Sequence, residues 1–426
     1  MTFFGFATRS FVTACTFALV ASPAAAQQKP PAKPKPPAYL DVEEAPSTYW
    51  LQGEYFGRAK LKSSAPLTRF GLQVIDKGKA DFEAVLYQGG LPGEGWDKKD
   101  PVRLKATPAD GLVVFVADDY TLSVDGTTAT VEPVVSVSAV KKPLWGSLEK
   151  VQRLSPTLGL KPPANAQILF NGSKTDLWKD AKTEGNLLKE GAMTRNEYQD
   201  FRMHLEFQLA FKPDGIDQDR GNSGVYIQRR YELQILDSFG RQMQFNDIGS
   251  IYRQQQPELN MALPPLSWQT YDIWFRAARF DAEGKKTENA RITVWLNGVP
   301  IHSDYEIIAK TGAGQKEAAN PMPINLQDHQ NPVRFRNIWL LEGDIKPPAP
   351  LTAPKPAPSS SIAQGSFSGG QSGVISSAPP MTYQPQIIHW GPYAMPMEGY
   401  YGMGQPGWVP PPVKPMVGYE GWPVYD

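Results

Sequence analysis

The chain has 426 residues, more than one ordinary domain packs around a single core, so two domains with linkers are expected. Lys and Arg together number 43 and Asp and Glu 43, and the zero formal charge, mixed along the chain, excludes the basic surplus that nucleic acid or an anionic membrane needs. The single cysteine, Cys15, falls in an N-terminal apolar run, so the rest of the chain has no disulfide, thiolate metal site or cysteine nucleophile.

Arg9, the apolar run from Phe11 to Ala21 and Ala24-Ala25-Ala26 predict a secretory leader over residues 1–26, and hence an exported protein, periplasmic, secreted or held at the cell surface. The run is too short for a transmembrane segment. Val12-Thr-Ala-Cys15 comes too early to serve as a lipoprotein signal. Residues 27–46, rich in Pro, Lys and Ala in their first part, read as a tether.

Residues 47–140 form a first, smaller β-rich domain, with strand candidates at 82–87, 112–116, 120–124 and 128–131. Asp125-Gly126 is a tight hairpin turn between two of them. The glycine-rich stretch from Gly89 to Trp96 lacks the Lys-Ser/Thr ending of a phosphate loop and is expected to be a plain connection. A linker follows over 141–165, with one short helix expected around Leu148 to Leu154.

The second domain spans 166–344, with strands expected at 204–211, 224–236, 268–275, 291–296 and 333–341 and a hairpin signal at Asn297-Gly298. Many strands, turn-rich connections and no long amphipathic helix predict an all-β fold, an antiparallel jelly-roll sandwich of the concanavalin or laminarinase type. From 345 to 426 the composition shifts to Pro, Gly, Ser, Tyr and Met, which predicts a disordered tail. Its Tyr and Trp offer stacking faces for sugars or a cell-wall polymer, so surface association is one reading and disorder without a fixed partner the primary one.

The richest stretch runs from Gly221 to Gly240. Val225 and Ile227 alternate with Tyr226 and Gln228, and Tyr231, Leu233 and Ile235 alternate with Glu232 and Gln234, the period-2 mark of strands with one buried face. Glu232 and Gln234 then share the wetter face, with Arg230 beside them. Asp237, three residues on, returns to that face if the strand bulges. The arrangement resembles in part the two-carboxylate strand of laminarinase-type glucanases, although a merely solvated strand face fits the same pattern.

Leu169-Phe-Asn-Gly172, Asn222-Ser-Gly224, Tyr231 to Asp237, Ile248-Gly-Ser-Ile-Tyr252, Trp268 to Ile273, Val294 to Gly298, Leu326-Gln-Asp-His329 and Phe335-Arg-Asn-Ile338 occur in that order. Through them, over about residues 166–344, the sequence resembles the 3-keto-disaccharide hydrolase family. The first domain resembles an extension often fused ahead of it. The resemblance implies a concanavalin-like jelly roll acting on a carbohydrate substrate, a glycoside whose C3 hydroxyl has been oxidised to a ketone, by elimination and hydration.

Such chemistry needs a base for the acidified C2 proton, a donor for the leaving oxygen, and a cation or hydrogen-bond donors at the enolate oxygen. Glu232 is the candidate base, His329 the proton donor or second base, and Asp237 an orienting or sugar-binding group, with turn capping equally consistent. Asn222, Tyr226, Gln234 and Gln327 suit sugar hydroxyls. Arg230 would set the base's pKa, and Arg334 would face the enolate. His204 shares a strand face with Glu206 and Gln208 and reads as a surface residue, His302 as structural, and Trp274 and Trp295 as partial core rather than a sugar platform. No cofactor is expected. Asp214, Asp217 and Asp219 resemble part of a calcium loop but lack its closing glutamate. A non-catalytic, lectin-like surface protein is the alternative reading.

Overall fold

The structure is a computed structural model that describes residues 1–2, 35–109, 111–134, 143–343, 346 and, as backbone alone, 386–389. The leader, beyond its first two residues, and most of the tail therefore lie outside the described residues.

The first unit is one long antiparallel sheet. Its strand order is Val102–Ala106, Phe82–Gln88, Thr68–Asp76, Gly53–Ala59, Gly146–Leu154, Thr128–Pro133, Tyr120–Val124, Leu112–Val116 and Pro108–Ala109. Val102–Ala106 lies close against Leu112–Val116, so the sheet curls round on itself. Inside the curl pack Tyr55, Leu72, Val74, Phe82, Leu86, Phe115, Leu122 and Leu148.

The helix expected at Leu148 to Leu154 is a strand instead, and the first unit runs on to Leu154. It pairs with Gly53–Ala59 on one side and Thr128–Pro133 on the other. Leu148, Lys150, Val151 and Arg153 are all buried, so both faces are covered and the period-2 signal disappears. A place in a ladder overrides local preference. Arg153 is tolerated there because it donates to both carboxylate oxygens of Glu54, at 2.6 and 2.5 Å. Beyond the stretch paired with Thr128–Pro133, the backbone of Gln386–His389 pairs with Val151 to Leu154 in parallel.

The second unit is a two-sheet sandwich, as expected. The larger sheet has the order Thr183–Glu184, Leu187–Lys189, Val333–Glu342, Phe201–Leu209, Trp268–Arg276, Ala290–Leu296 and Val299–Ile307, with Gln167–Phe170 added on Val333–Glu342. The smaller sheet runs Trp178–Lys179, Met193–Thr194, Asn325–Leu326, Asn222–Ile227 and Tyr231–Leu236. Alternation decides which side chains meet: Met203, Leu205 and Phe207 from the larger sheet face Val225, Ile227, Leu233 and Ile235 from the smaller.

The two units share this core. Ile75, Val85 and Tyr87, on the outer face of the first sheet, belong to the same apolar cluster as the sandwich interior. Residues 39–46, expected as tether, are docked: Tyr39 exchanges two backbone hydrogen bonds of 2.9 Å with Phe211, and Asp41 accepts from Arg334 at 2.9 and 3.1 Å. Tyr39 gives this stretch apolar area that the Pro-rich part before it lacks, its ring 6.2 Å from Phe211, and Tyr49 just after it packs edge-on to the same ring at 5.1 Å.

Candidate functional site

The smaller sheet turns one face away from the core, and that face carries chemistry. In register, Asn325 lies opposite Tyr226, which lies opposite Glu232, so the three form one row across neighbouring strands. In the next row Gly224 lies opposite Gln234, and Gln327 donates its backbone N–H to the Gly224 carbonyl at 2.9 Å. Glycine leaves room here for the carboxylate in its present position. A Cβ on residue 224 would come 2.8 Å from Oε1 of Glu232, so the missing side chain is the space into which the carboxylate reaches.

Glu232 is 3% exposed. Its Oε2 accepts the Tyr226 hydroxyl at 2.7 Å, and the Gln327 side chain also hydrogen-bonds it. Burial pushes its pKa up to about 7, with those two hydrogen bonds opposing the rise. Burial and the adjacent carboxylate together raise the Tyr226 phenol well above its usual range. The loop from Thr311 to Gly314 roofs the carboxylate, with Thr311 donating to it through neither atom but accepting the Glu232 backbone N–H on Oγ1 at 2.7 Å. The ring of Tyr252 lies against Gly312 on the same side.

In front of this pair opens a cavity of about 190 Å³ lined by Tyr226, Arg229, Ala313, Gln315, Asn325 and Gln327. Glu232 is not in its wall. Tyr226 is part of the wall, and the carboxylate its hydroxyl bonds is not. Along the same face the amide nitrogens of Asn222 and Gln234 both donate to Gln218, at 2.8 and 3.0 Å. The amide oxygens of Asn222, Gln234, Asn246 and Gln327 are buried with no hydrogen-bond partner among the described residues. A buried acceptor left unmet is costly, and of the four only Gln327 lines the cavity, where a ligand hydroxyl could meet it.

The family described as 3-keto-alpha-glucoside-1,2-lyase-like domain matches residues 165–341. The chain belongs to that family. Three crystal structures of Parabacteroides distasonis ATCC 8503 proteins, each provisionally named a glycosyl hydrolase, are similar to it. One is 31% identical, covering 42% of this chain and 84% of that one with a TM-score of 0.40. The others are 17% and 20% identical, cover 42% of this chain and 94% and 93% of theirs, and have TM-scores of 0.33 and 0.27. No curated protein matches the chain.

Within the lyase-like domain the expected residues divide. Glu232, Tyr226, Gln234, Asn222 and Gln327 come together on one face. Arg230 does not join them: its guanidinium donates to the carbonyls of Lys316 and Asn320, to the Asn320 side chain and to Gln228, which ties down the loop that follows the roof. Asp237 is 2% exposed and accepts from Arg220 at 3.2 and 3.0 Å, so its charge is spent on a buried ion pair rather than on a ligand. Arg334 sits on the larger sheet, where it pairs with Asp41 and Glu184, and it cannot face an enolate at Tyr226. His329 is on an exposed loop two residues past Gln327, its ring without a partner among the described residues.

Asp219 pairs with Lys212 and Asp217 with Arg241, while Asp214 accepts the backbone N–H of Lys79. Among the described residues no group of three or more His, Cys, Asp and Glu side chains is placed to hold a metal ion. Trp274 and Trp295 are 4% exposed and pack on each other at 4.7 Å on the back of the larger sheet. His302 donates to the Gly249 carbonyl at 2.7 Å, a structural role. Sequence reasoning missed Arg229, Gln218, Asn246 and Tyr252. Tyr252 stood in a quoted motif, but the others lie in turns and loops that carry no period.

Gly224→Ala is expected to push the Glu232 carboxylate off its hydrogen bonds while leaving the fold intact. Turnover should fall by at least about 10-fold with an unchanged circular dichroism spectrum. Full activity in the variant would mean that the carboxylate position is unimportant.

Proposed function

We propose that the second unit cleaves a glycoside bearing a ketone at C3, by C2 proton abstraction, elimination and hydration. The observation that carries this reading is the Tyr226–Glu232 pair: a carboxyl with a pKa near 7, joined by 2.7 Å to a phenol in the wall of the cavity. Poise near neutrality is what a general base needs to accept a proton and release it again.

The C2–H bond breaks as its proton passes to the Tyr226 oxygen and the phenolic proton passes to Glu232. The electron pair left on C2 forms a double bond to C3, and the charge moves to the C3 oxygen. Collapse of this enolate restores the ketone, forms a C1–C2 double bond and expels the C1 oxygen, which takes the stored proton back through Tyr226. Water then adds, its oxygen to C1 and a proton to C2 by the same route, so the pair ends as it began. The orphan amide oxygen of Gln327, a residue of the cavity wall, accepts from a sugar hydroxyl and helps fix the ring. A cavity of about 190 Å³ is smaller than sites for drug-sized ligands, roughly 300–1,000 Å³, which suits one sugar ring with the departing group outside. The leader read over residues 1–26 supports export, which cell fractionation tests: an uncleaved cytoplasmic chain removes that part.

Incubating the protein with a 3-keto-glucoside and with its unoxidised parent tests the reaction. The keto sugar should be cleaved and the parent left untouched, because only the ketone acidifies C2. Cleavage of both would overturn the elimination route. Binding of both with no cleavage would make the domain a carbohydrate-binding module.

A further inference from the structure

We infer that Arg229 is the cation that receives the negative charge developing on the C3 oxygen, an inference that rests on the reaction proposed above. Arg229 is half-buried and lines the cavity together with Tyr226. Among the described residues its guanidinium takes part in no ion pair or hydrogen bond. Arg230 beside it makes four such bonds, and Arg220 is locked to Asp237 and two carbonyls. The cavity wall thus offers one cation free to meet a ligand, and the remaining lining groups are neutral.

Backbone geometry adds an independent argument. The turn joining Asn222–Ile227 to Tyr231–Leu236 holds Gln228 and Arg229 both at φ +51. Glycine, asparagine or aspartate fills such positions at far less strain. Gln228 justifies its presence structurally, donating to the Tyr198 carbonyl at 2.8 Å and accepting from Arg230 at 3.0 Å. Arg229 has no structural task of its own beyond its backbone, whose carbonyl accepts from Gln315 at 2.7 Å. Strain kept at a position whose side chain lines a cavity points to a ligand.

Charge balance fits the assignment. When the C2 proton leaves for Glu232, one negative charge disappears from the carboxylate and reappears on the C3 oxygen. A fixed guanidinium stabilises the second arrangement more than the first only if it stands nearer the sugar than the carboxylate, and Arg229 is in the wall while Glu232 is behind it. The guanidinium keeps its proton throughout and acts through charge and hydrogen bonds.

The test uses the full chain and its Arg229→Met and Arg229→Gly variants with a 3-keto-glucoside in D2O, following deuterium uptake at C2 and product release by NMR. Both variants should lose on the order of 10²–10³-fold in kcat and in C2 exchange, the loss seen when one oxyanion donor is removed. Their affinity for the unoxidised parent glycoside should change by less than about threefold. Arg229→Gly relaxes the strained turn, so its inactivity could not be blamed on unfolding. An active wild type with either variant within about threefold of it in kcat overturns the role of Arg229 alone. A loss confined to KM does the same, making Arg229 a ground-state binding residue. An inactive wild type, with no C2 exchange, overturns the proposed reaction and this inference together.

Discussion

Glu232→Gln is expected to lower kcat on a 3-keto-glucoside by on the order of 10²–10⁴-fold, the usual contribution of a positioned base, with little change in affinity for the parent sugar. In the proposed reaction the carboxyl is the proton store, and glutamine keeps its shape without that capacity. The wild-type rate should rise with pH through about 7, since the base must be ionised and burial holds its pKa there. Tyr226→Phe removes a hydrogen bond that favours the ionised form, so any residual activity should show its rising limb at higher pH. Stability should move the other way. A carboxyl whose folded pKa is raised binds more protons folded than unfolded, so the wild type loses stability as pH climbs from the unfolded value of 4.5 through about 7. Glu232→Gln should therefore be more stable than wild type above pH 7 while being inactive, a combination that rules out misfolding as the cause. Unchanged turnover in this variant would remove the base.

The second large effect lies on the far face of the larger sheet. His204, expected at the surface, is fully buried, with Nδ1 donating to Asp272 at 2.8 Å and Nε2 3.7 Å from Glu206. Its ring stacks on Trp339 at 5.3 Å. Burial opposes the charged imidazole, but the two carboxylates outweigh it and raise the pKa to about 9. Burial also opposes the charge on Glu206, yet His204, Asn337 and Arg336 hold its pKa down to about 2. Glu206 in turn accepts the Gly159 N–H at 2.6 Å, which clasps the segment between the units to the back of the sheet. His204→Ala should cost about 3–5 kcal/mol in urea unfolding, because it leaves the buried Asp272 carboxylate without its cation and Glu206 with Arg336 alone. The contribution of His204 is full below its unfolded pKa of 6.5 and disappears as pH rises through about 9, so the wild type should lose stability over that window and the variant should not. A cost below about 1 kcal/mol would mean that the cluster is no better than a surface pair.

Much of the sandwich was legible because its strands keep one face in the core. Phe201–Leu209 alternates cleanly, and Asn297-Gly298 makes the turn it signals, with φ of +53 and +76. Gly146–Leu154 was not legible, since the burial of Arg153 depends on Glu54, 99 residues away. Arg334 was misplaced for the same reason: its partner Asp41 lies 293 residues earlier. At the site, alternation was enough to put Glu232 and Gln234 on one face. It could not say that Tyr226 would stand in front of Glu232, nor choose between Arg229 and Arg230. That choice is made by a left-handed turn, and Gln-Arg does not advertise one as Asn-Gly would.

Arg220 gives the leading unit a grip on the ligand-facing surface. The same guanidinium that neutralises Asp237 also reaches the Asp76 carbonyl at 3.2 Å. Two residues before it, Gln218 anchors both Asn222 and Gln234. The segment between them is thus stapled from outside the second unit. Excised alone, the second unit would keep its strands yet lose the Asp76 contact that steadies the segment carrying Gln218, so the amides of Asn222 and Gln234 would be held less firmly.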